Sequence, residues 1–241
     1  MLSTTLHLER FLNWTGVLVE PDIIYYSDMK RAHRKAYGVQ SCLSLEQHPT
    51  IANFKSSPVV HKIKGSNKTI VNPALGHIPN GNMIGKALKV QNLITGNTVQ
   101  TQCLPVYSIL LAVNITTLDL FILDVEGVEL EILKTIPFDL VEMAVFLIET
   151  HGKTEEWRNI THKFMNSKGY IYYDTFRNTM HPGDDIFINN KYYSIANEKE
   201  KLKKIKLKDI FNILTGKKYF EVEESEFQTF LDFFLPIWVK N

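Results

Sequence analysis

Thr117–Lys134 reads TLDLFILDVEGVELEILK, and the fold class follows from it. Leu118 to Leu123 is an apolar run broken only by Asp119. A near-continuous run of this kind suits a strand buried on both faces, as in a parallel sheet. Asp124, Val125, Glu126 and Gly127 come next, and Gly127 permits a tight turn. Val128, Leu130, Ile132 and Leu133 then recur at helical spacing, and Glu129 and Glu131 suit the partly positive first turn of a helix. The stretch therefore predicts strand, acidic turn, helix. It sets Asp124 and Glu126 at the carboxyl end of the strand, where open α/β sheets bind ligands. The plainer reading is that these carboxylates only cap the helix.

Toward the amino terminus, Ser3–Leu12 predicts a short helix with Ser3 as its cap. Val17-Leu18-Val19 is a strand that lands on Glu20. Pro21-Asp22 opens a helix to about Tyr37, Gly38 stops it, and Val39–Leu43 is a further strand. Strands alternating with helices predict a doubly wound, mostly parallel α/β sheet. At the end of its strand, Glu20 is placed to accept hydrogen bonds from two ribose hydroxyls, or else it is a solvated surface glutamate. Ser41-Cys42-Leu43 ends the next strand, where it could flank a base.

Residues 46–100 are rich in turn dipeptides around short β-type pieces such as Val59–Ile63 and Val99–Leu104, which predicts a β-rich excursion. Asn80-Gly81-Asn82-Met83-Ile84-Gly85 looks like a glycine loop, but it follows no strong strand, so no phosphate cradle is expected there.

Beyond it, Pro105–Val113 predicts a proline-started helix. Val141–Glu149 is a second buried strand, followed by Thr150 and His151. Glu149 and His151 would project at the same end of the sheet as Asp124, as acid/base groups or polar loop residues. No third ligand with suitable spacing is evident, so no metal is expected. Thr154–Lys168 predicts a helix; Tyr170–Thr175 and Ile186–Asn189 predict a terminal antiparallel pair joined by the loop Asn178–Asp185.

The chain of 241 residues divides into a domain over 1–192 and a tail over 193–241. The tail carries six lysines between Glu198 and Lys208, bracketed by acids, and six of the 14 phenylalanines. It predicts a solvated helical face and an aromatic segment that docks on the domain or on a protein partner. Lys+Arg 27 against Asp+Glu 26 gives a net charge of +1, which does not suggest nucleic acid. Cys42 and Cys103 fall in β-type runs and predict small buried hydrophobes with no disulfide framework. No apolar run reaches the roughly 18–20 residues of a spanning helix. The amino terminus also lacks a basic region followed by an apolar core, so the chain reads as cytoplasmic provided Met1 is its true start, and as part of the secretory or endosomal membrane system if the start lies upstream.

Taken together, Leu2–Glu9 (LSTTLHLE), Trp14–Pro21 (WTGVLVEP) and Leu123–Glu129 (LDVEGVE) resemble the FkbM-type S-adenosylmethionine-dependent methyltransferases, within them the Star-like animal branch. The resemblance covers Leu2 to about Asn190. It implies a Rossmann-like sheet that holds the methyl donor, S-adenosylmethionine, across its carboxyl edge. Glu20 would take the ribose hydroxyls, Cys42 and Leu43 would lie near the adenine, and Asp124, Glu126 and Gly127 near the methionine part or the acceptor. The implied reaction is methyl transfer to a hydroxyl of a small molecule, glycan or lipid, with Asp124, Glu149 or His151 as base. The family also carries a strand and an acidic glycine turn just before the segment that starts here at Leu2. In the sheet that strand lies between those ending at Glu20 and Asp124, so its absence predicts unpaired backbone along both. Two functional readings stand: a methyltransferase, or a catalytically inactive Star-like binding or scaffold protein of secretory or endosomal trafficking.

Overall fold

The computed structural model describes residues 5–55, 59–62, 69–72, 98–150, 152–176, 183–193 and 237–239. Helix α1 (Leu6–Leu12) leads into β1 (Thr15–Val19), α2 (Ile23–Arg31), β2 (Tyr37–Val39) and β3 (Cys42–Leu43). Then follow β4 (Thr50–Lys55), β5 (Val59–Lys62), β6 (Thr69–Asn72), β7 (Thr98–Leu104) and α3 (Val106–Ala112). The remaining elements are β8 (Thr117–Leu123), α4 (Glu129–Thr135), β9 (Glu142–Glu149), α5 (Glu155–Ser167), β10 (Tyr170–Phe176), β11 (Asp184–Asn189) and β12 (Ile237–Val239).

The main sheet runs β10-β11-β9-β8-β12-β1-β2. β8 pairs parallel with β9, and β1 with β2, while β11 lies antiparallel between β9 and β10. The terminal antiparallel pair expected from the sequence is present. Successive residues of β8 and β9 enter two different cores, which is why both strands read as unbroken apolar runs. Phe121, Leu123, Phe146 and Ile148 pack with Ile109 and Leu110 of α3, Ile132 and Leu133 of α4 and Met165 of α5. Leu120, Ile122, Val145 and Leu147 pack on the other face with Leu8 of α1, Trp14 and Met29 of α2. This is a mixed α/β fold consistent with a methyltransferase. Truncating a fully buried ring such as Phe121 or Phe146 would cost about 3–5 kcal/mol.

The slot between β1 and β8 is filled. β12 lies in it antiparallel to both neighbours: Trp238 pairs with Gly16 on one side and with Leu120 on the other. The unpaired backbone predicted along β1 and β8 is therefore corrected over these residues, and so is the helical character of the tail at 237–239, where the chain is a strand. The lysine run and the rest of the aromatic tail lie outside the described residues, as does the glycine loop at 80–85.

α2 is shorter than its sequence pattern. It ends at Arg31, and His33 adopts a left-handed φ of 49°. The cause is tertiary. Glu9, buried on α1, accepts from Lys35 N (2.7 Å) and from Arg34 Nε (3.0 Å), pulling the chain out of the helix. The predicted strand Val39–Leu43 is likewise split between two sheets. β2 joins the main one, and β3 joins a smaller sheet ordered β3-β7-β4. There Cys42 stands opposite Cys103 in parallel register, with Cα atoms 4.3 Å apart, and the two form a disulfide. The expectation of two unlinked cysteines is corrected. Their separation of 61 residues gives no sequence signal, because only the strand register brings them together.

Candidate active site at the carboxyl edge of the sheet

The site begins with strand register. Ile122 and Leu147 are partners on β8 and β9 and share one face of the sheet. Two residues further on, Asp124 and Glu149 leave their strands on that same face. Asp184, the first residue of β11, pairs with Glu149 and adds a third carboxylate. Glu126 comes from the turn after β8, and one oxygen each from Asp124, Glu126 and Glu149 lie within 4.8 Å of one another. That spacing would also admit a cation. The sequence put these three carboxylates at one end of the sheet but showed no ligand spacing, because Asp124 and Glu126 follow β8 while Glu149 ends β9.

Glu129 builds the turn. Its side chain is fully buried at the start of α4, and Oε1 accepts from Gly127 N (3.0 Å) and Val125 N (3.3 Å). Its other oxygen pairs with Lys153 Nζ, which also lies 5.1 Å from the centre of the Trp157 ring. Glu126 is held at a left-handed φ of 57° and Gly127 at 127°. A non-glycine residue in that region costs on the order of 1–3 kcal/mol and persists only where surrounding contacts impose it. Here Glu129 imposes it.

Packing carboxylates this closely while removing water favours their neutral forms. Burial, then the charges of Asp124 and Glu129, push Glu126 up to about 8. Burial, then Asp124 and Glu126, hold Glu149 well above the ordinary carboxylate range. Asp184 rises to about 7, again chiefly by burial and then by Asp124. The site is thus an array of carboxyl groups short of positive charge, with Lys153 as the described cation that acts on Glu126.

Glu20 stands at the same edge, beyond β12. With neighbouring strands about 4.8 Å apart, β1 is about 10 Å from β8. Glu20 Oε1 accepts from Asp22 N (2.8 Å), and burial raises its carboxyl to about 7. Asp22 in turn caps α2 through Ile24 N (2.8 Å). Leu43 is buried in the same core as Val17 of β1, and Cys42 is tied into the smaller sheet by its disulfide. His151 lies outside the described residues. The structure thus brings Asp124, Glu126, Gly127 and Glu149 together and sets Glu20 two strands away. Sequence reading missed Asp184, which it placed in a loop, and the pairing of Glu129 with Lys153. An acidic residue at the edge of a short strand and a lone lysine before a helix gave no pattern to find them by.

The family model for the methyltransferase FkbM domain matches residues 1–172, from α1 into β10. The chain belongs to the FkbM methyltransferase family. That match includes Glu20, the Asp124–Gly127 turn, Glu129, Glu149 and Lys153, and stops short of Asp184 and β12. No curated protein and no solved structure matches the chain. Among the described residues no helix is long and apolar enough to cross a membrane.

Proposed function

We propose that this FkbM-family chain is an S-adenosylmethionine-dependent methyltransferase acting on a hydroxyl oxygen of a small molecule, glycan or lipid. The observation that carries the reading is the convergence of Asp124, Glu126, Glu149 and Asp184 at the carboxyl edge of the sheet. When bound, the cofactor supplies a methyl group activated by a positively charged sulfonium. The donor set fits such a ligand, because grouped carboxylates that repel one another gain most from a neighbouring cation.

Glu20 accepts hydrogen bonds from the ribose hydroxyls, and Asp124 and Glu126 face the cationic part. Cys42 and Leu43 are assigned to the adenine side. Glu149 is assigned as the base that takes the proton from the acceptor hydroxyl, because it ends β9 beside Asp124 and Glu126 and burial raises its proton affinity. His151, two residues on, is the other candidate. Glu129 and Lys153 touch no substrate in this scheme; they hold the turn that carries Asp124 and Glu126.

Calorimetric titration with S-adenosylmethionine and with its demethylated product, S-adenosylhomocysteine, tests the proposal. Micromolar affinity, about −8 kcal/mol, is expected for the charged cofactor. Its advantage over the product, which lacks the sulfonium charge, should widen as pH rises through 7–8, where Asp184, Glu20 and Glu126 ionise. No heat from a folded sample would overturn the assignment and favour a binding or scaffold role.

A further inference from the structure

We infer that β12 is a detachable keystone whose insertion assembles the cofactor site. Among the described residues, the main sheet reaches β1 and β2 only through this strand. β1 carries Glu20 at its end, while Asp124, Glu126, Glu149 and Asp184 belong to the β8–β9–β11 side. A ligand that contacts both groups therefore spans a join made by three residues.

The join is slight for its position. β12 has three residues, whereas β1 has five and β8 seven, and it makes two register pairs on each side. It also opposes the direction of both neighbours. β8 and β9, by contrast, are in register from Thr117 and Glu142 to Leu123 and Ile148. Val17 of β1 belongs to the same buried core as Ile109, Leu110, Leu118 and Phe121, which ties β1 to the fold through described side chains besides its backbone pairing with β12. Release of the strand thus loosens the sheet at one seam and leaves both halves folded. Local opening of weakly paired elements below the global unfolding free energy is a general property of proteins.

Strand insertion and ligand binding are then linked. A ligand that needs both halves binds the inserted state better, and by reciprocity it must stabilise β12 in its slot. The linkage part rests on the cofactor site proposed above; the keystone part does not.

The test is native-state amide exchange of the full chain with and without S-adenosylmethionine, alongside Trp238→Pro, which removes a backbone donor from the middle of the strand. In the intact chain, the amides of Ile237, Trp238 and Val239 should exchange faster than those of Val145 to Leu147. They should slow by about tenfold or more with saturating cofactor, a coupling usual for linked sites. In Trp238→Pro, Gly16, Leu120 and Phe121 should lose protection while β9 retains it, and cofactor affinity should fall by a similar factor. If β12 opens only together with β9 in the intact chain, the keystone idea is wrong, and that comparison stands even where the variant fails to fold. Unchanged exchange at Gly16 and Leu120 in a folded variant would also overturn it. Binding of cofactor without any slowing at β12 would overturn the linkage. An intact chain that binds no cofactor would refute the proposed function, while the exchange comparison would still decide the keystone.

Discussion

Replacing Glu129 tests how the acidic turn is held. In Glu129→Ala, Val125 N and Gly127 N lose their acceptor and Lys153 loses its partner. Each buried donor left unpaired costs about 1–3 kcal/mol, and breaking a buried ion pair costs about 3–5 kcal/mol in comparable cases. These losses share one side chain and do not simply add, so about 3–5 kcal/mol is expected in all. For a chain of this size, each kcal/mol lowers the melting temperature by about 2–4 °C. Glu129→Gln separates the two contributions. Its amide oxygen still accepts from both backbone donors, while the ion pair is gone, and about half of the loss should remain. Thermal melts and urea unfolding of the three proteins measure the difference. An alanine variant within about 1 kcal/mol of the parent would refute the reasoning, since a turn with Glu126 at positive φ could not then depend on this side chain. Equal losses for alanine and glutamine would show that the ion pair, and not the backbone capping, does the holding.

The raised carboxyls make stability fall with pH. Glu20, Asp184 and Glu126 bind protons more tightly folded than unfolded, so their contribution is intact below about pH 4.5 and is lost as pH rises through 7–8. Urea midpoints at pH 5.5 and 8.5 should show this slope, and Asp184→Asn should flatten it; a slope left unchanged would refute Asp184's part in it. Reduction of the Cys42–Cys103 bond, or Cys103→Ser, frees a loop of 61 residues and should cost about 4 kcal/mol on chain-entropy grounds, read as a lower melting temperature under reductant. Asp185 is fully buried and accepts from Arg158 Nη2 (2.6 Å) and Thr175 Oγ1 (2.7 Å), with His162 Nε2 at 2.7 Å. Asp185→Ala should therefore destabilise by about 3–5 kcal/mol. Because Asp185 lies on the opposite face from Asp184, the variant should leave cofactor affinity at temperatures below its melt unchanged, as calorimetry would show.

Elements with a strong local period were legible in the sequence. The strand ending at Leu123, the acidic turn, the helix after it and the strand ending at Glu149 all appear within a residue or two of their expected bounds. β-type runs buried on both faces and helical spacing are local signals, and they survive in the fold because the cores on each side reward them. The length of α2 was not legible, since the propensity of Lys30–Lys35 was overruled by Glu9 from a different helix.

The amino-acid sequence by itself thus determined the α/β class, the strand–turn–helix unit and the presence of carboxylates at strand ends. The tertiary structure decided which carboxylates meet, that Asp184 joins them, that Cys42 faces Cys103, and that β12 lies between β8 and β1 in the sheet. The physical reason is that strand pairing is non-local. A run of three residues such as Ile237–Val239 carries no local preference for a neighbour or a direction, and the backbone groups of Gly16 and Leu120 with which it pairs supply one.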